Sequence, residues 1–109
     1  MRALSVRQPY AELIMRGEKT VEYRSKPTNI RERVYVYAAK RPGKFEDFER
    51  AGLRPGKWST GVLIGTVEVV SCDGEPGAYE WHLANPERLS EIREPERHPQ
   101  PTWFYPFYR

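Results

Sequence analysis

The sequence predicts an α+β fold, a small mixed β-barrel flanked by two or three short helices. Its 109 residues suit one core, and we expect a single domain over residues 1–109. The stretches Val34 to Ala39 and Gly61 to Cys72 are rich in β-branched residues and predict two long strands. Gly65, inside the second stretch, indicates a bulge or bend of the kind that closed barrels use, so a barrel is favoured over a flat sheet.

The first elements of the chain are predicted to be a strand, a short helix and a second strand. Residues 2–7 alternate polar and apolar side chains, the period of a half-buried strand. A helix follows over Tyr10 to Arg16, because Pro9 suits the first helical position and Gly17 supplies a left-handed stop. Thr20 to Tyr23 has the β-branched and aromatic content of a strand.

Alternation along this last strand assigns its side chains to two faces. Val21 and Tyr23 share one face, and Glu22 and Arg24 share the other. We expect the apolar pair to point into the core and the charged pair to point outward or into a cleft. Lys19 precedes the strand in a turn, from which it can lean towards Glu22.

The middle of the chain continues in short elements. Between two Pro-Gly turns, Phe45 to Ala51 is predicted to form a second helix. Tyr79 to Leu83 alternates large and polar side chains and predicts a strand that ends at Asn85-Pro86. Leu89 to Ile92 is predicted as a further short strand at an edge.

The C-terminal segment, Glu94 to Arg109, combines four prolines with five aromatic residues. Prolines lack the N–H that a central strand needs, which excludes a regular central strand here. We expect the aromatic side chains to cover an open end of the barrel. A segment exposed for binding another protein is the alternative.

Charge is distributed unevenly along the chain. Residues 1–57 hold 14 Lys and Arg against 7 Asp and Glu, and residues 58–109 hold 4 against 8. A basic half favours phosphate-bearing partners such as nucleic acids or nucleotides, unless the charges cancel across the folded surface. The single cysteine, Cys72, and the absence of an apolar run of roughly 18 residues indicate a cytoplasmic protein without a membrane segment.

Polar residues that can carry chemistry gather around the first helix: Gln8, Lys19, Glu22 and Arg24. As a cation, Lys19 can hold a phosphate or an oxyanion, and Arg24 offers a planar fork to a phosphate or a base edge. Glu22 can accept a proton or orient a water. A plain ion pair among these residues is the alternative, and Gln8 either reads a base edge or caps the turn.

Other residues extend the candidate site. Tyr10, Tyr37 and Trp81 are candidates for stacking on a base, although aromatic side chains in a barrel more often belong to the core. The candidate phosphate contacts are Lys26, Arg31, Arg33, Lys40, Arg41 and Lys44. His82, His98 and Cys72 do not have the spacing of a metal site, so neither a metal nor a cofactor is predicted.

The order Gln8-Pro9-Tyr10, then Gly17-x-Lys19, then Glu22-x-Arg24 resembles the ASCH domain family of the PUA-like superfamily. That family has a Gln-Pro-aromatic step, a short helix and the pattern Gly-x-Lys-x-x-Glu-x-Arg. Tyr10 stands where the family often has tryptophan. The resemblance covers most of the chain and implies a small PUA-like barrel with a charged cleft that acts on RNA or modified nucleosides.

The resemblance implies both binders and enzymes, since some small ASCH proteins hydrolyse the acyl amide of a modified cytidine and ribonuclease activity is known in others. The amide-hydrolysing members carry threonine where this chain has Glu22. Because an ionised carboxylate only accepts hydrogen bonds, their mechanism does not transfer directly.

Three hypotheses follow. In the first, the chain binds RNA or another single-stranded nucleic acid, or a modified nucleotide, through Gln8, Tyr10, Lys19, Glu22, Arg24 and Lys26. In the second, it is a metal-independent hydrolase of an N4-acylcytidine-type amide or of an RNA phosphodiester, with Lys19 and Glu22 as catalytic residues. In the third, the aromatic tail binds another protein. The sequence leaves enzyme against binder and the oligomeric state open.

Overall fold

The computed structural model describes residues 1–108. Along the chain its elements are β1 (Ala3–Val6), α1 (Tyr10–Met15), β2 (Val21–Arg24), β3 (Arg33–Ala38), α2 (Phe45–Ala51), β4 (Val62–Glu75), β5 (Ala78–Arg93) and β6 (Trp103–Phe104). Both predicted helices are present, and each begins at its predicted residue. No helix among residues 1–108 is long and apolar enough to cross a membrane.

The six strands form one curled sheet, in the order β2-β5-β4-β3-β1-β6. β1 runs parallel to β3, and every other pair of neighbours is antiparallel, so the sheet is mixed. It curls into a half-barrel with the two short helices beside it, which confirms the predicted α+β class and small PUA-like barrel.

The bulge predicted at Gly65 is present. The register between β4 and β5 shifts between Leu63 and Gly65, and the register between β3 and β4 shifts opposite the same place. A Cβ on Gly65 would lie 2.6 Å from the Glu87 carbonyl oxygen and would collide with the Met15 sulfur. Glycine is therefore needed where α1 packs most closely on the sheet.

The main core lies between α1 and the concave side of the sheet. The buried side chains from α1 include Ile14 and Met15, and those from the strands include Leu4, Val36 and Trp81. A smaller cluster on the other side of β1 and β3 is formed by Ala3, Tyr37, Leu63 and Phe104. The N-terminal end of α1 is thereby held against the end of β1, where the candidate site begins.

The prediction of two strands separated at Asn85-Pro86 is wrong, because β5 is a single strand that passes through this step. Thr66 pairs with Glu87 and Glu68 pairs with Ala84, so Asn85 and Pro86 lie in a bulge between these pairs. The N–H that proline lacks is not required there. Asn85 takes a left-handed conformation with φ 52°, which asparagine tolerates better than most residues.

The prediction that Val21 and Tyr23 point into the core is also wrong, whereas Glu22 and Arg24 do line a cleft, which was one of the two expected positions. Tyr23 is 67% exposed and Val21 is only half-buried, whereas Glu22 is 7% exposed. β2 is an edge strand, and the charged side chains of its inner face line a cavity. Since Lys19 neutralises the carboxylate there, a charged residue can occupy the inward position.

Part of the aromatic tail packs on the sheet, while Tyr105 and Tyr108 are exposed, so a cover over an open end of the barrel stays a prediction. Trp103 stacks on Trp81 with ring centroids 5.6 Å apart, and Phe104 meets Tyr37 edge to face at 5.2 Å. β6 is a two-residue edge strand on β1, which agrees with the exclusion of a central strand. Arg109, the last residue of the predicted tail, lies outside the described residues.

Candidate functional site

A cavity of about 810 Å³ opens between the ends of β1 and β2 and the C-terminal tail. Its walls come from five parts of the chain: the end of β1, Tyr10 of α1, the segment from Lys19 to Arg24, the end of β3 with the loop that follows it, and residues 98–102 of the tail. This volume is typical of a site for a small molecule or a single residue of a polymer.

The polar end of the cavity is an ion cluster around Glu22. The Lys19 Nζ lies 3.5 Å from Glu22 Oε1, and the Arg24 Nε donates to Glu22 Oε2 at 2.7 Å. The Glu22 side chain is 9% exposed, and those of Lys19 and Arg24 are 16% and 22% exposed. One carboxylate between two cations leaves the cluster with a formal charge of +1, and both carboxylate oxygens are already engaged.

The guanidinium of Arg24 is held on several sides. Its Nη2 donates to the Ser5 carbonyl oxygen at 2.8 Å, and its Nη1 lies 3.4 Å from Thr102 Oγ1. The guanidinium also lies 5.5 Å from the centre of the Trp81 ring. These contacts fix the plane of the fork, so Arg24 presents its remaining N–H in a defined direction.

Aromatic rings enclose Lys19. Its Nζ lies 5.4 Å from the centre of the Tyr10 ring and 5.2 Å from that of Tyr23. Cation–π contacts of this kind help to hold the ammonium group between the two rings. The two rings line the cavity, and Tyr23 leaves most of its ring exposed.

Tyr10 is anchored by α2. Its hydroxyl donates to Asp47 Oδ1. This hydrogen bond is the largest cause, and burial the second, that raises the pKa of Tyr10 above its ordinary value. The same hydrogen bond, with a second from the Lys44 N–H, lowers the pKa of Asp47. Tyr10 therefore stays a neutral hydroxyl with its ring fixed at the cavity wall.

Three cations of the cavity lining have no carboxylate partner. Arg7, Lys40 and Arg41 all line the cavity, and within residues 1–108 none forms an ion pair at 4.0 Å or less. Cations without a counter-charge beside a cavity create a positive potential that attracts anionic groups.

The structure brings Tyr10, Lys19, Glu22 and Arg24 together and leaves two predicted site residues outside. Gln8 is 2% exposed, donates through Nε2 to the Ser59 carbonyl oxygen and accepts the Glu12 N–H. It thus has the capping role that the sequence left open. Lys26 does not line the cavity, although its carbonyl oxygen accepts the Trp81 indole N–H at 3.0 Å.

Of the other predicted contacts, some line the cavity and the rest lie outside it. Tyr37 lines the cavity with Lys40 and Arg41, whereas Trp81 is a core residue at 2% exposure. Arg33 is engaged by Glu68 at 3.1 Å and is therefore committed to the sheet. The guanidinium of Arg31 donates to the carbonyl oxygens of Thr28 and Ile30. Lys44 lies at the start of α2.

Sequence reasoning missed two parts of the site. Residues 98–102 form one wall, and Ser5 fastens that wall to β1: its N–H donates to the Thr102 carbonyl oxygen at 2.9 Å and its Oγ donates to the Gln100 carbonyl oxygen at 2.8 Å. The four tail prolines predicted irregular structure, but they did not show which part of the chain the tail contacts. Contacts across 95 residues of chain carry no local sequence signal.

Potential metal ligands lie elsewhere. At the β4–β5 hairpin, Asp73, Glu80 and His82 bring their ligand atoms within 4.8 Å of one another, and the His82 Nε2 lies 3.2 Å from Asp73 Oδ1. His98 lines the cavity, and Cys72 pairs with Trp81 in the sheet. That the protein works without metal or cofactor stays a prediction.

The family model for the ASCH domain matches residues 4–96. The chain belongs to the ASCH domain family. Activating signal cointegrator 1 from Homo sapiens is similar to it, with 39% identity over 80 residues, a match that covers 63% of this chain and 14% of the human protein. This chain therefore spans only a small part of the length of that relative.

The ASCH match separates two parts of the cavity. The ion cluster and its aromatic neighbours lie inside the matched residues, while the wall formed by residues 98–102 follows them. The floor of this ASCH cavity, formed by the ion cluster and its aromatic neighbours, is thus part of the family match, and the tail wall lies beyond the matched residues.

Proposed function

We propose that this ASCH domain binds single-stranded RNA, with one unstacked nucleotide in the cavity. The observation that carries the proposal is the combination, in one cavity, of exposed stacking faces with cations that have no counter-charge. Membership of a family generally linked to RNA binding supports the choice of ligand class.

Phosphates are the expected partners of Arg7, Lys40 and Arg41. These side chains line the cavity without carboxylate partners, so a phosphate meets no competing acceptor. The Glu22 carboxylate is already engaged by Lys19 and Arg24, so it repels a phosphate less than a free carboxylate would. Part of the positive charge of residues 1–57 would thereby contact phosphates at this cavity.

The base is expected to stack on Tyr10 or Tyr23. Aromatic faces accept any base, and each stacked base contributes about 1–3 kcal/mol. The Tyr10 ring is fixed by its hydrogen bond to Asp47, so stacking on it costs little further ordering. Recognition of an unstacked base in this manner is typical of single-stranded RNA.

Hydrolysis of a modified nucleoside or of an RNA phosphodiester is the second candidate, and the contact between Lys19 and Glu22 at 3.5 Å inside the cavity favours it. In that role Lys19 would stabilise an oxyanion and Glu22 would orient a water. The engagement of both Glu22 oxygens makes the carboxylate a poor general base, which is why we place binding first.

The test is binding of a fluorescently labelled single-stranded RNA, followed by anisotropy at several salt concentrations. The double substitution Lys40→Gln and Arg41→Gln should weaken binding and reduce the salt slope by roughly 1.4, about 0.7 for each phosphate contact of a single strand. Arg54→Gln with Lys57→Gln removes the same charge from exposed positions outside the cavity and serves as the control.

Equal effects of the two double variants would contradict a binding site in the cavity, as would binding that does not respond to salt. The hydrolase candidate is tested on the same protein by screening acylated and methylated nucleosides and RNA for turnover. Turnover that Lys19→Ala and Glu22→Gln both abolish, in folded protein, would replace binding by catalysis as the function.

A further inference from the structure

We propose that Thr102, a residue of the tail wall, completes a donor site with Lys19 and Arg24 that selects a base carrying a carbonyl oxygen. The inference rests on the proposed RNA binding and names the class of base that the cavity accepts. Uracil, cytosine and guanine carry a carbonyl oxygen, and adenine does not.

The polar end of the cavity has an excess of hydrogen-bond donors. Arg24 has five N–H groups, of which those on Nε and Nη2 are directed at Glu22 and the Ser5 carbonyl oxygen. Its Nη1 has a single partner, Thr102 Oγ1, at the long distance of 3.4 Å, so it has an N–H to spare. Lys19 has three N–H groups, and one carboxylate oxygen as partner.

Each acceptor of this cluster already has at least one cationic partner, whereas several of its donors have none. Both oxygens of Glu22 are engaged, and the Ser5 carbonyl oxygen already accepts from Arg24. Because Thr102 Oγ1 accepts from Arg24, its own O–H is free to donate. A ligand group that lies here therefore meets N–H and O–H donors from three side chains, those of Lys19, Arg24 and Thr102.

The position of Thr102 is firmly imposed. Its φ of 65° lies in the left-handed region, which a β-branched residue rarely adopts and which costs about 1–3 kcal/mol. The conformation is held by the Ser5 N–H on its carbonyl oxygen and by the bond from Ser5 Oγ to Gln100 two residues earlier. The hydroxyl of Thr102 consequently points to one place, beside Arg24.

The tail supplies this donor from outside the ASCH match, which ends at residue 96. Lys19 and Arg24, inside the match, provide a cationic floor that accepts any acceptor-bearing group. Thr102 adds a neutral donor whose oxygen lies beside Arg24. Selection among bases is therefore expected to depend on the tail. Affinity for the RNA strand is expected to depend on the floor and on the cations without carboxylate partners, Arg7, Lys40 and Arg41.

A carbonyl oxygen has two lone pairs and satisfies two of these donors at once, whereas a ring nitrogen of adenine has one. With adenine one donor of this partly buried site stays unpaired, at a cost of about 1 kcal/mol or more. This corresponds to a preference of roughly fivefold or more for a carbonyl-bearing base.

The experiment measures competition of uridine and adenosine 5′-monophosphates against a labelled uridine octamer. Mononucleotides are used because stacking within an adenosine strand would itself oppose binding. The wild-type protein should prefer the uridine nucleotide by roughly fivefold, and Thr102→Val, which keeps the shape and β-branching but removes one of the three donors, should lower this ratio. Thr60→Val, at an exposed position outside the cavity, should leave the ratio unchanged.

Two further variants separate the hydroxyl from the fold. Thr102→Ser keeps the hydroxyl and should keep the preference. Thr102→Gly lacks the hydroxyl, adopts the left-handed φ freely and should lower the ratio as Thr102→Val does, in a folded protein. An unchanged ratio in Thr102→Val and Thr102→Gly would overturn the inference while RNA binding stands, whereas failure of the wild type to bind the octamer would overturn both.

Discussion

Two buried glutamates of this protein have nearly the same electrostatic surroundings. The Glu12 side chain on α1 is 7% exposed and lies between Arg16 and Arg88. The Glu22 side chain on β2 is 9% exposed and lies between Lys19 and Arg24. Each is a carboxylate held by two cations, with a formal charge of +1.

The two clusters differ in what their cations face. Arg88 grips Glu12 with both arms of its fork, at 3.0 and 2.6 Å, and so fastens α1 to β5 outside the cavity. Lys19 and Arg24 line the cavity and retain N–H groups directed away from Glu22. The same charge pattern thus joins elements in one place and forms a candidate binding site in the other.

The largest effect is expected on breaking the Glu12 cluster. Arg88→Met removes two hydrogen bonds to a buried carboxylate and leaves it with Arg16 alone, so the free energy of unfolding should fall by about 1–3 kcal/mol. Urea denaturation followed by tryptophan fluorescence measures this loss. RNA affinity of the folded variant should be unchanged, because Arg88 does not line the cavity.

The control for that variant is Arg93→Met, which removes an arginine of the same strand whose guanidinium lies 4.1 Å from the centre of the Phe107 ring rather than on Glu12. It should cost less than Arg88→Met. A loss for Arg88→Met no larger than for Arg93→Met would show that the fork on Glu12 does not fasten α1.

A smaller effect is expected on acidification. Burial alone would raise the pKa of Glu12, but hydrogen bonds from Arg88 and Arg16 outweigh it and bring the pKa below its ordinary value of 4.5. The charged form therefore contributes stability above pH 4.5, and that contribution is lost as pH falls through the lower folded value. The loss is smaller than in Arg88→Met, since a protonated carboxyl still accepts hydrogen bonds.

The measurement compares the free energy of unfolding of wild type and Glu12→Gln between pH 7 and pH 3. The variant should start less stable and should lose less on acidification, because it lacks the titrating group. If the free energies of unfolding of the two proteins fall in parallel over this range, the pKa of Glu12 does not differ between the folded and unfolded protein.

The sequence alone allowed the fold class, both helices and the gathering of Lys19, Glu22 and Arg24 to be predicted. These features depend on local signals: the glycine after α1, the alternation in β2 and the spacing of three charged residues. The inward position of Val21 and Tyr23 was predicted wrongly because apolar side chains were assumed to enter the core, whereas Glu22 and Arg24 line the cavity, which was one of the expected positions.

The features that the sequence did not reveal all depend on distant contacts. Gln8 was placed in the site by its neighbours in sequence, yet its amide meets Ser59, 51 residues later. Thr102 drew no attention within a proline-rich tail, since its importance comes from Ser5 and Arg24. Such contacts form when segments far apart in the sequence pack together, and no short sequence pattern predicts them.

The smallest change in stability is expected when the cavity glutamate is altered. In Glu22→Gln the amide oxygen can still accept from Arg24, and Lys19 keeps its contacts with the rings of Tyr10 and Tyr23. Water in the cavity can also solvate the ammonium group, so the free energy of unfolding should fall by less than about 1 kcal/mol.

Glu12→Gln is the matched variant for this comparison. Its amide nitrogen must lie against Arg88 or Arg16, because both carboxylate oxygens accept hydrogen bonds from these arginines. The loss should therefore exceed that of Glu22→Gln in the same urea titration.

RNA affinity should respond in the opposite order: Glu22→Gln raises the cluster charge from +1 to +2 and should strengthen binding at low salt, while Glu12→Gln leaves binding unchanged. Equal stability losses together with equal affinities would mean that the cavity does not distinguish the two clusters, and the placement of RNA beside Lys19 and Arg24 would have to be abandoned.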